Sequence, residues 1–389
     1  MSEADLRDVE AEIKRLEPRV VETLYPEWGK DIVIDQHKDF TWMRESGKPS
    51  ISHYRINGIA NGKPYSFVAI AYGKTPDMCP GTMPPLVKDY YSHIFLERAG
   101  ISVPKTAFFQ ENPTLLFTEF IKGKTHRQLI EEELKKEKPE MPRFLESVVL
   151  GTDAFQTKAT EARRSNLQIS DDIFASRAVV AQALNYFEIL FGDKERAKRF
   201  VMDIYMPLFN EALSGDVVNH GDLGPDNVIR QENGVDKFLD PELKLRGRMA
   251  DFGNYLSYLG NYEHLWDALS DFSASLKGED PELTRFASYA NICHHSARIV
   301  AKRQRDKADG INRNRGAQYD EAAAQRKGMQ HIFEALKTMP DKFGLDRKKK
   351  ALADRAADEF SEVAESDISG GSCDPSLGVG NAVADPQNL

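Results

Sequence analysis

Of all the stretches in this chain, the one that leaves the fewest folds open runs Val217-Val-Asn-His-Gly-Asp-Leu-Gly-Pro-Asp-Asn-Val-Ile-Arg-Gln-Glu-Asn-Gly-Val-Asp-Lys-Phe-Leu-Asp240. Its two ends are apolar and β-branched, as strands are. Asn233-Gly234 between them is the strongest short hairpin signal, because a two-residue type I′ turn needs positive φ at both positions. Such a turn fixes the register and sets Asn227 opposite Asp240. Directly opposed residues of an antiparallel pair hold their Cβ atoms roughly 4.5–5.5 Å apart on one face. An amide oxygen and a carboxylate side by side are hard ligands suited to one Mg²⁺. Asp222 lies just before the hairpin, on a loop within reach of the same point. The same register opposes Arg230 to Lys237, a mildly repulsive pair.

These residues resemble the catalytic loop and metal aspartate of the aminoglycoside phosphotransferase/choline kinase-like family, relatives of the protein kinases. The family pattern is His-Gly-Asp, then an asparagine five positions after that aspartate and a second aspartate 18 after it; His220-Gly221-Asp222, Asn227 and Asp240 meet it. The resemblance implies an α+β, bilobal, protein-kinase-like fold. A small antiparallel-sheet lobe is expected over residues 1–121, a larger and mostly helical lobe over 122–345, and a helix followed by a disordered tail over 346–389. It also implies that Asp222 orients the acceptor hydroxyl and takes its proton, while Asn227 and Asp240 hold Mg²⁺ against ATP. Asp251-Phe252-Gly253 spells the metal motif of protein kinases, yet it stands 29 positions after Asp222 and opens a helical run. It is read as the aspartate that steadies the catalytic loop in the resembling family, and His220 is expected to steady that loop by hydrogen bonding.

Residues 3–24 read as an amphipathic helix broken near Pro18, with Leu6, Val9, Ile13 and Leu16 at helical spacing. Strand-like runs follow over 40–43, 50–56 and 65–72, with Asn57-Gly58 and Asn61-Gly62 between the last two. The small-residue loop over 45–52 would offer backbone N–H groups and the hydroxyls of Ser50 and Ser52 to phosphates. In the resembling family such a loop precedes a Tyr-Arg-hydrophobic strand, as Tyr54-Arg55-Ile56 is here. That family also carries a lysine on the third strand, paired with an acidic residue on the next helix. Ala71 stands at that position; Lys74 is the nearest substitute, and Asp89 or Glu97 the acidic partner. Residues 114–123 resemble the family's linker between lobes, which implies that adenine bonds to the Glu119 carbonyl and the Ile121 N–H.

From 125 to 213 the pattern is helical, with two long helices expected between Asp171 and Phe209. Acceptor specificity is expected there and after residue 254. Tyr255, Tyr258, Tyr262 and Trp266 recur at helical steps, as core or as a box for a quaternary ammonium group. His294-His295 adjoin on a helix and so face different ways, and the basic residues of 298–315 read as a solvated surface. Residues 366–389, rich in Gly, Ser, Asp, Asn and Pro, read as disordered.

Charge excludes some partners. With 52 basic against 61 acidic residues, the net charge of −9 disfavours nucleic acid or an anionic membrane and suits a small hydroxylated acceptor that is cationic. Cys79, Cys293 and Cys373 are scattered, in neither a disulfide framework nor a metal-ligand spacing. The polar N-terminus has no apolar signal region, and no run approaches the roughly 18 apolar residues of a membrane span. The cytoplasm is the expected compartment. Together the residues and the resemblance imply ATP- and Mg-dependent transfer of the γ-phosphate to a hydroxyl of a small molecule. Two alternatives stay open: a catalytically weak nucleotide-binding protein or scaffold, suggested by Ala71, and a protein kinase, against which the placement of Asp251-Phe252-Gly253 counts.

Overall fold

An amphipathic helix and a twisted sheet, each with one apolar face, make the N-terminal lobe. The computed structural model describes residues 3–45, 51–72, 83–133, 135, 141–165, 170–174, 178–258, 263–308 and 321–369. Ser50, Lys74, Tyr262 and the tail past 369 lie outside these residues, and with them the expectations attached to each. Helix α1 (Glu3–Leu24) turns Val9, Ile13, Leu16, Val20, Val21 and Leu24 to one side, each at most 5% exposed. It continues through Pro18 instead of breaking there. Burial of these side chains at about 1.5–3 kcal/mol each outweighs the roughly 3 kcal/mol that an internal proline costs.

That face packs on a five-stranded antiparallel sheet of order β1-β2-β3-β5-β4, built from β1 (Ile34–Glu45), β2 (Ile51–Ala60), β3 (Lys63–Tyr72), β4 (Thr106–Gln110) and β5 (Leu115–Glu119). Strands β2 and β3 pair without interruption from Ile51↔Tyr72 to Ala60↔Lys63. The turn is therefore Asn61-Gly62, with φ of 49° and 72°, and Asn57-Gly58 lies inside β2. On the opposite face Val68, Ile70 and Tyr72 pack on Leu86 and Tyr90 of α2 (Pro85–Arg98).

The chain then passes through β6 (Lys124–Thr125) into the helical lobe. Its helices are α3 (His126–Glu133), α4 (Met141–Arg164), α5 (Val179–Phe191), α6 (Lys194–Phe200), α7 (Met206–Leu213), α8 (Ala250–Ser257), α9 (Glu263–Lys277), α10 (Pro281–Ala308), α11 (Glu321–Thr338) and α12 (Arg347–Ser369). Where two long helices were expected, α5 is followed by one run in which α6 continues through a π-helical turn, Val201–Tyr205, into α7. Four short strands interrupt the helices: β7 (Val217–Asn219), β8 (Val228–Arg230), β9 (Asp236–Phe238) and β10 (Lys244–Arg246). Strand β7 pairs with β10, and β8 lies between β6 and β9. Helix α12 joins the same core, burying Leu352, Ala353, Ala356, Ala357 and Phe360 with Phe333 and Phe343. Alanines make up most of that face. No described helix is long and apolar enough to cross a membrane.

Candidate active site

The loop after β7 is held from behind by buried side chains. Asn219 ends the strand; its Oδ1 accepts from Gln156 Nε2 of α4 at 2.7 Å and from the Asp251 N–H at 3.3 Å. Asp251, only 1% exposed, then accepts from two successive loop amides, His220 N at 2.7 Å and Gly221 N at 2.9 Å. Burial pushes its carboxyl above the usual range, while the imidazole of His220 and these two N–H groups pull the other way. Gly221 sits at φ 82°, where a Cβ would come 2.7 Å from the Glu242 carbonyl oxygen. The loop reverses direction there only because no side chain intervenes. Asp251-Phe252-Gly253 thus opens α8 as a support for the loop. Its glycine allows α8 to close on α10, since a Cβ there would lie 2.4 Å from Cβ of Asn291.

His220 departs from expectation. Its ring lies 5.7 Å from that of Phe155 and 6.2 Å from that of Phe238, and neither ring nitrogen has a hydrogen-bond partner among the described residues. It steadies the loop by packing rather than by hydrogen bonding.

The hairpin also differs, by one residue. The observed pairs are Val228↔Phe238, Ile229↔Lys237 and Arg230↔Asp236. Gln231 N donates to the Val235 carbonyl at 2.9 Å, so the loop is the three residues 232–234, of which only Gly234 has positive φ, 81°. Charge explains the choice: Arg230 meets Asp236 through Nε–Oδ1 and Nη2–Oδ2 contacts of 2.9 Å each, where the two-residue turn would have opposed it to Lys237. Asn227 consequently faces Leu239, whose N–H donates to the Asn227 carbonyl at 2.8 Å. Asp240 is the next residue, with a left-handed φ of 50°.

Asp222, Asn227 and Asp240 nonetheless share one end of the hairpin. Asn227 Nδ2 donates to the Asp222 carbonyl at 2.7 Å and lies 3.5 Å from its Oδ2, so Oδ1 is the end left for a cation. One amide oxygen and one carboxylate suit a divalent ion that takes its other ligands from phosphate and water. Among the described residues no three His, Cys, Asp or Glu side chains converge as a metal cage. The charge of Asp240 is felt on the α2 side of the cleft. Burial pushes the His93 imidazole down to about 4, against the pull of Asp240.

On the small lobe, Ala71 is 2% exposed and belongs to the core beneath α1. The residue that the end of β3 sends toward α2 is Tyr72, whose hydroxyl donates to Asp89 Oδ2 at 2.6 Å. Burial, then Asp89 and more distantly Asp240, push the Tyr72 hydroxyl well above its ordinary pKa. Glu97 is engaged elsewhere and accepts from the Thr106 N–H at 2.8 Å. Ser52 is a strand residue opposite Ala71 and Glu45, not part of a phosphate loop. Glu119 closes β5, and Ile121 after it is 5% exposed. Beyond them Gly123 lies so close to β8 that a Cβ would stand 2.3 Å from the Arg230 carbonyl oxygen.

Arg298 is the residue that sequence reasoning missed. It comes from α10, was expected in solvent, and places Nη2 2.7 Å from Asp222 Oδ1 and 3.2 Å from Asn254 Oδ1. Burial works against its charge, but Asp222 together with Tyr258, Tyr186 and Glu242 overcomes it and raises its pKa. Arg298, His294 and His295 line one small cavity with Lys244 and Arg246, so the two histidines share a site although they adjoin in sequence. Asn291, His294, His295 and Arg298 recur at steps of three and four along α10. That polar stripe was the signal available. Tyr255 and Trp266 are fully buried and form core, not an ammonium box.

No protein-family model matches the sequence, and no curated protein does. Among solved structures, the chain is similar to choline kinase LicA from Streptococcus pneumoniae, with a TM-score of 0.50 and 12% identity over 83% of this chain and 99% of that one. It is likewise similar to the amicoumacin kinase hAmiN in complex with AMP-PNP, Ca²⁺ and Ami, with a TM-score of 0.50 and 12% identity over 82% of this chain and 95% of that one.

Proposed function

We propose, from the premise that this chain has the bilobal α+β, protein-kinase-like fold of these small-molecule kinases, that it transfers the γ-phosphate of ATP to a hydroxyl of a small molecule. The observation that carries the proposal is the meeting of Asp222, Asn227 and Asp240 at one end of a loop and hairpin, with Asn227 bonded to Asp222 at 2.7 Å. Asp222, fixed by Arg298 through Oδ1, keeps Oδ2 for the acceptor. The acceptor oxygen bonds to the γ-phosphorus as its proton passes to Asp222. The bond from that phosphorus to the bridging oxygen breaks, and ADP leaves with the electron pair. Asn227 and Asp240 would hold Mg²⁺, which when bound neutralises charge on the β- and γ-phosphates. Adenine would bond to the backbone at Glu119 and Ile121. A hydrogen bond, Tyr72 to Asp89, ties β3 to α2.

A second reading is favoured by Ala71, which is turned into the core, and by the arginine already seated on Asp222: a nucleotide-binding protein with little turnover. ADP release from Mg-ATP, measured with a panel of hydroxylated acceptors, separates the two. Asp222→Asn is expected to lower acceptor-stimulated release by roughly 10²–10⁴-fold, the usual worth of a positioned general base. Equal release from both proteins with every acceptor would leave the nucleotide-binding reading.

A further inference from the structure

Behind the catalytic loop lies a cavity of about 50 Å³ bounded by β7, β10, α5, α8 and α10. In the measure by which one water needs about 10–15 Å³, it has room for a few waters or for one carboxylate or phosphate group. It adjoins the reacting aspartate, because Gly221 and Arg298 both line it and Arg298 is bonded to Asp222 at 2.7 Å.

The lining is cationic. Lys244, Arg246 and Arg298 face a single carboxylate, Asp251, whose oxygens are taken by the loop amides of His220 and Gly221. The nearby carboxylates are also engaged: Glu242 Oε2 with Lys244 Nζ at 2.9 Å, and Asp222 with Arg298. Donors remain. Arg298 uses only Nη2 for its two hydrogen bonds among the described residues. The local field agrees. Burial drives His294 down to about 3, and the charges that add to this are Arg246, Arg298 and Lys244. An ammonium group would be repelled here, whereas an oxyanion would meet a fork of arginine donors.

We infer that the phosphate acceptor is an alcohol carrying an oxyanion, a carboxylate or a phosphate, which this cavity binds through Arg246, Arg298 and Lys244 while its hydroxyl lies at Asp222. The inference rests on the phosphotransferase reading above and replaces the cationic acceptor expected from net charge alone. The transfer is the one already written, from the γ-phosphorus to the hydroxyl oxygen, with the anionic group unchanged.

The test uses the full chain and two measurements. The first is calorimetric titration with inorganic phosphate and with glycerate, on the wild type and on Arg246→Gln, Arg246→Lys and Lys244→Gln, each shown by thermal melting to be folded. The second is ADP release from Mg-ATP with glycerate, glycerol phosphate, glycerol and serinol, which differ in charge on one short carbon chain. The expected result is anion binding that Arg246→Gln weakens roughly 10-fold or more, the worth of one charged hydrogen bond, and that Arg246→Lys restores in part. ADP release stimulated by the anionic alcohols, with a KM raised in Arg246→Gln at little change in kcat, supports it further. Anion binding unaffected by both Arg246→Gln and Lys244→Gln overturns the inference. So does a preference for glycerol or serinol, which would leave the phosphotransferase reading in place. Anion binding that depends on Arg246 but stimulates no ADP release would uphold the anion site and remove the phosphotransferase reading.

Discussion

Two aspartates on either side of β10 are asked to do opposite things. Asp251 accepts from two buried loop amides. Asp251→Asn therefore strands at least one donor, at roughly 1–3 kcal/mol for each N–H left unpaired, and the urea midpoint is expected to fall accordingly. Asp240→Ala is expected to leave the midpoint nearly unchanged and to lower affinity for Mg-ATP; the reverse pattern would exchange the two assignments. Tyr72 gives a second check at this scale. Tyr72→Phe removes the hydrogen bond to Asp89 and is expected to raise the KM for ATP several-fold, whereas Tyr72→Lys, a cation beside Asp89 and near Asp240, is expected to raise it less. An unchanged KM in Tyr72→Phe would mean that the β3–α2 tie has no part in binding. The residues of the loop itself were legible, because Asp222 and Asn227 are near neighbours in sequence on one short loop. Arg298 was not, because its contact with Asp222 spans 76 residues and depends on how α10 crosses the loop.

Elements follow the same division. The hairpin was legible as a hairpin, yet its register moved by one because turn propensity competed with a cross-strand ion pair and the ion pair prevailed. Gly234 at φ 81° has nothing within 4 Å of a Cβ position, so Gly234→Ala is expected to cost about 1 kcal/mol from backbone strain alone. A larger loss in a urea titration would show that the loop is packed. Helix α12 was expected as a helix standing outside the two lobes, but its apolar face is buried in the main core. Phe360→Ala is expected to destabilise the protein by about 3–5 kcal/mol, as large-to-small core changes do, and a chain ending at residue 345 is expected not to fold cooperatively. A truncated chain that melts as sharply as the full one would return α12 to the status of an appendage.

The whole molecule carries buried imidazoles that its architecture keeps neutral. Burial holds His93 at about 4 and His294 at about 3, and holds His295 well below its ordinary value. In the unfolded chain each takes a proton near pH 6.5, and in the folded chain none does until far lower. Unfolding therefore takes up protons below pH 6.5, so the stability these groups confer is complete above that pH and is lost as the pH falls toward 4. Urea unfolding measured from pH 7 to 4 is expected to show this slope, and His294→Gln is expected to flatten it; a flat profile in the wild type would mean that water reaches these rings. The bilobal plan was legible at this scale through the family resemblance carried by His220, Gly221, Asp222, Asn227 and Asp240, which lie close together in sequence. What joins the lobes was not. The strand leading to Asp240 is laced to the small lobe, with Phe238 N donating to the Ser102 carbonyl at 3.0 Å and Lys237 Nζ to the Val103 carbonyl at 2.9 Å. That lacing acts as the spine of a book. Any opening between the lobes is then hinged along that line, beside which Asp240 stands.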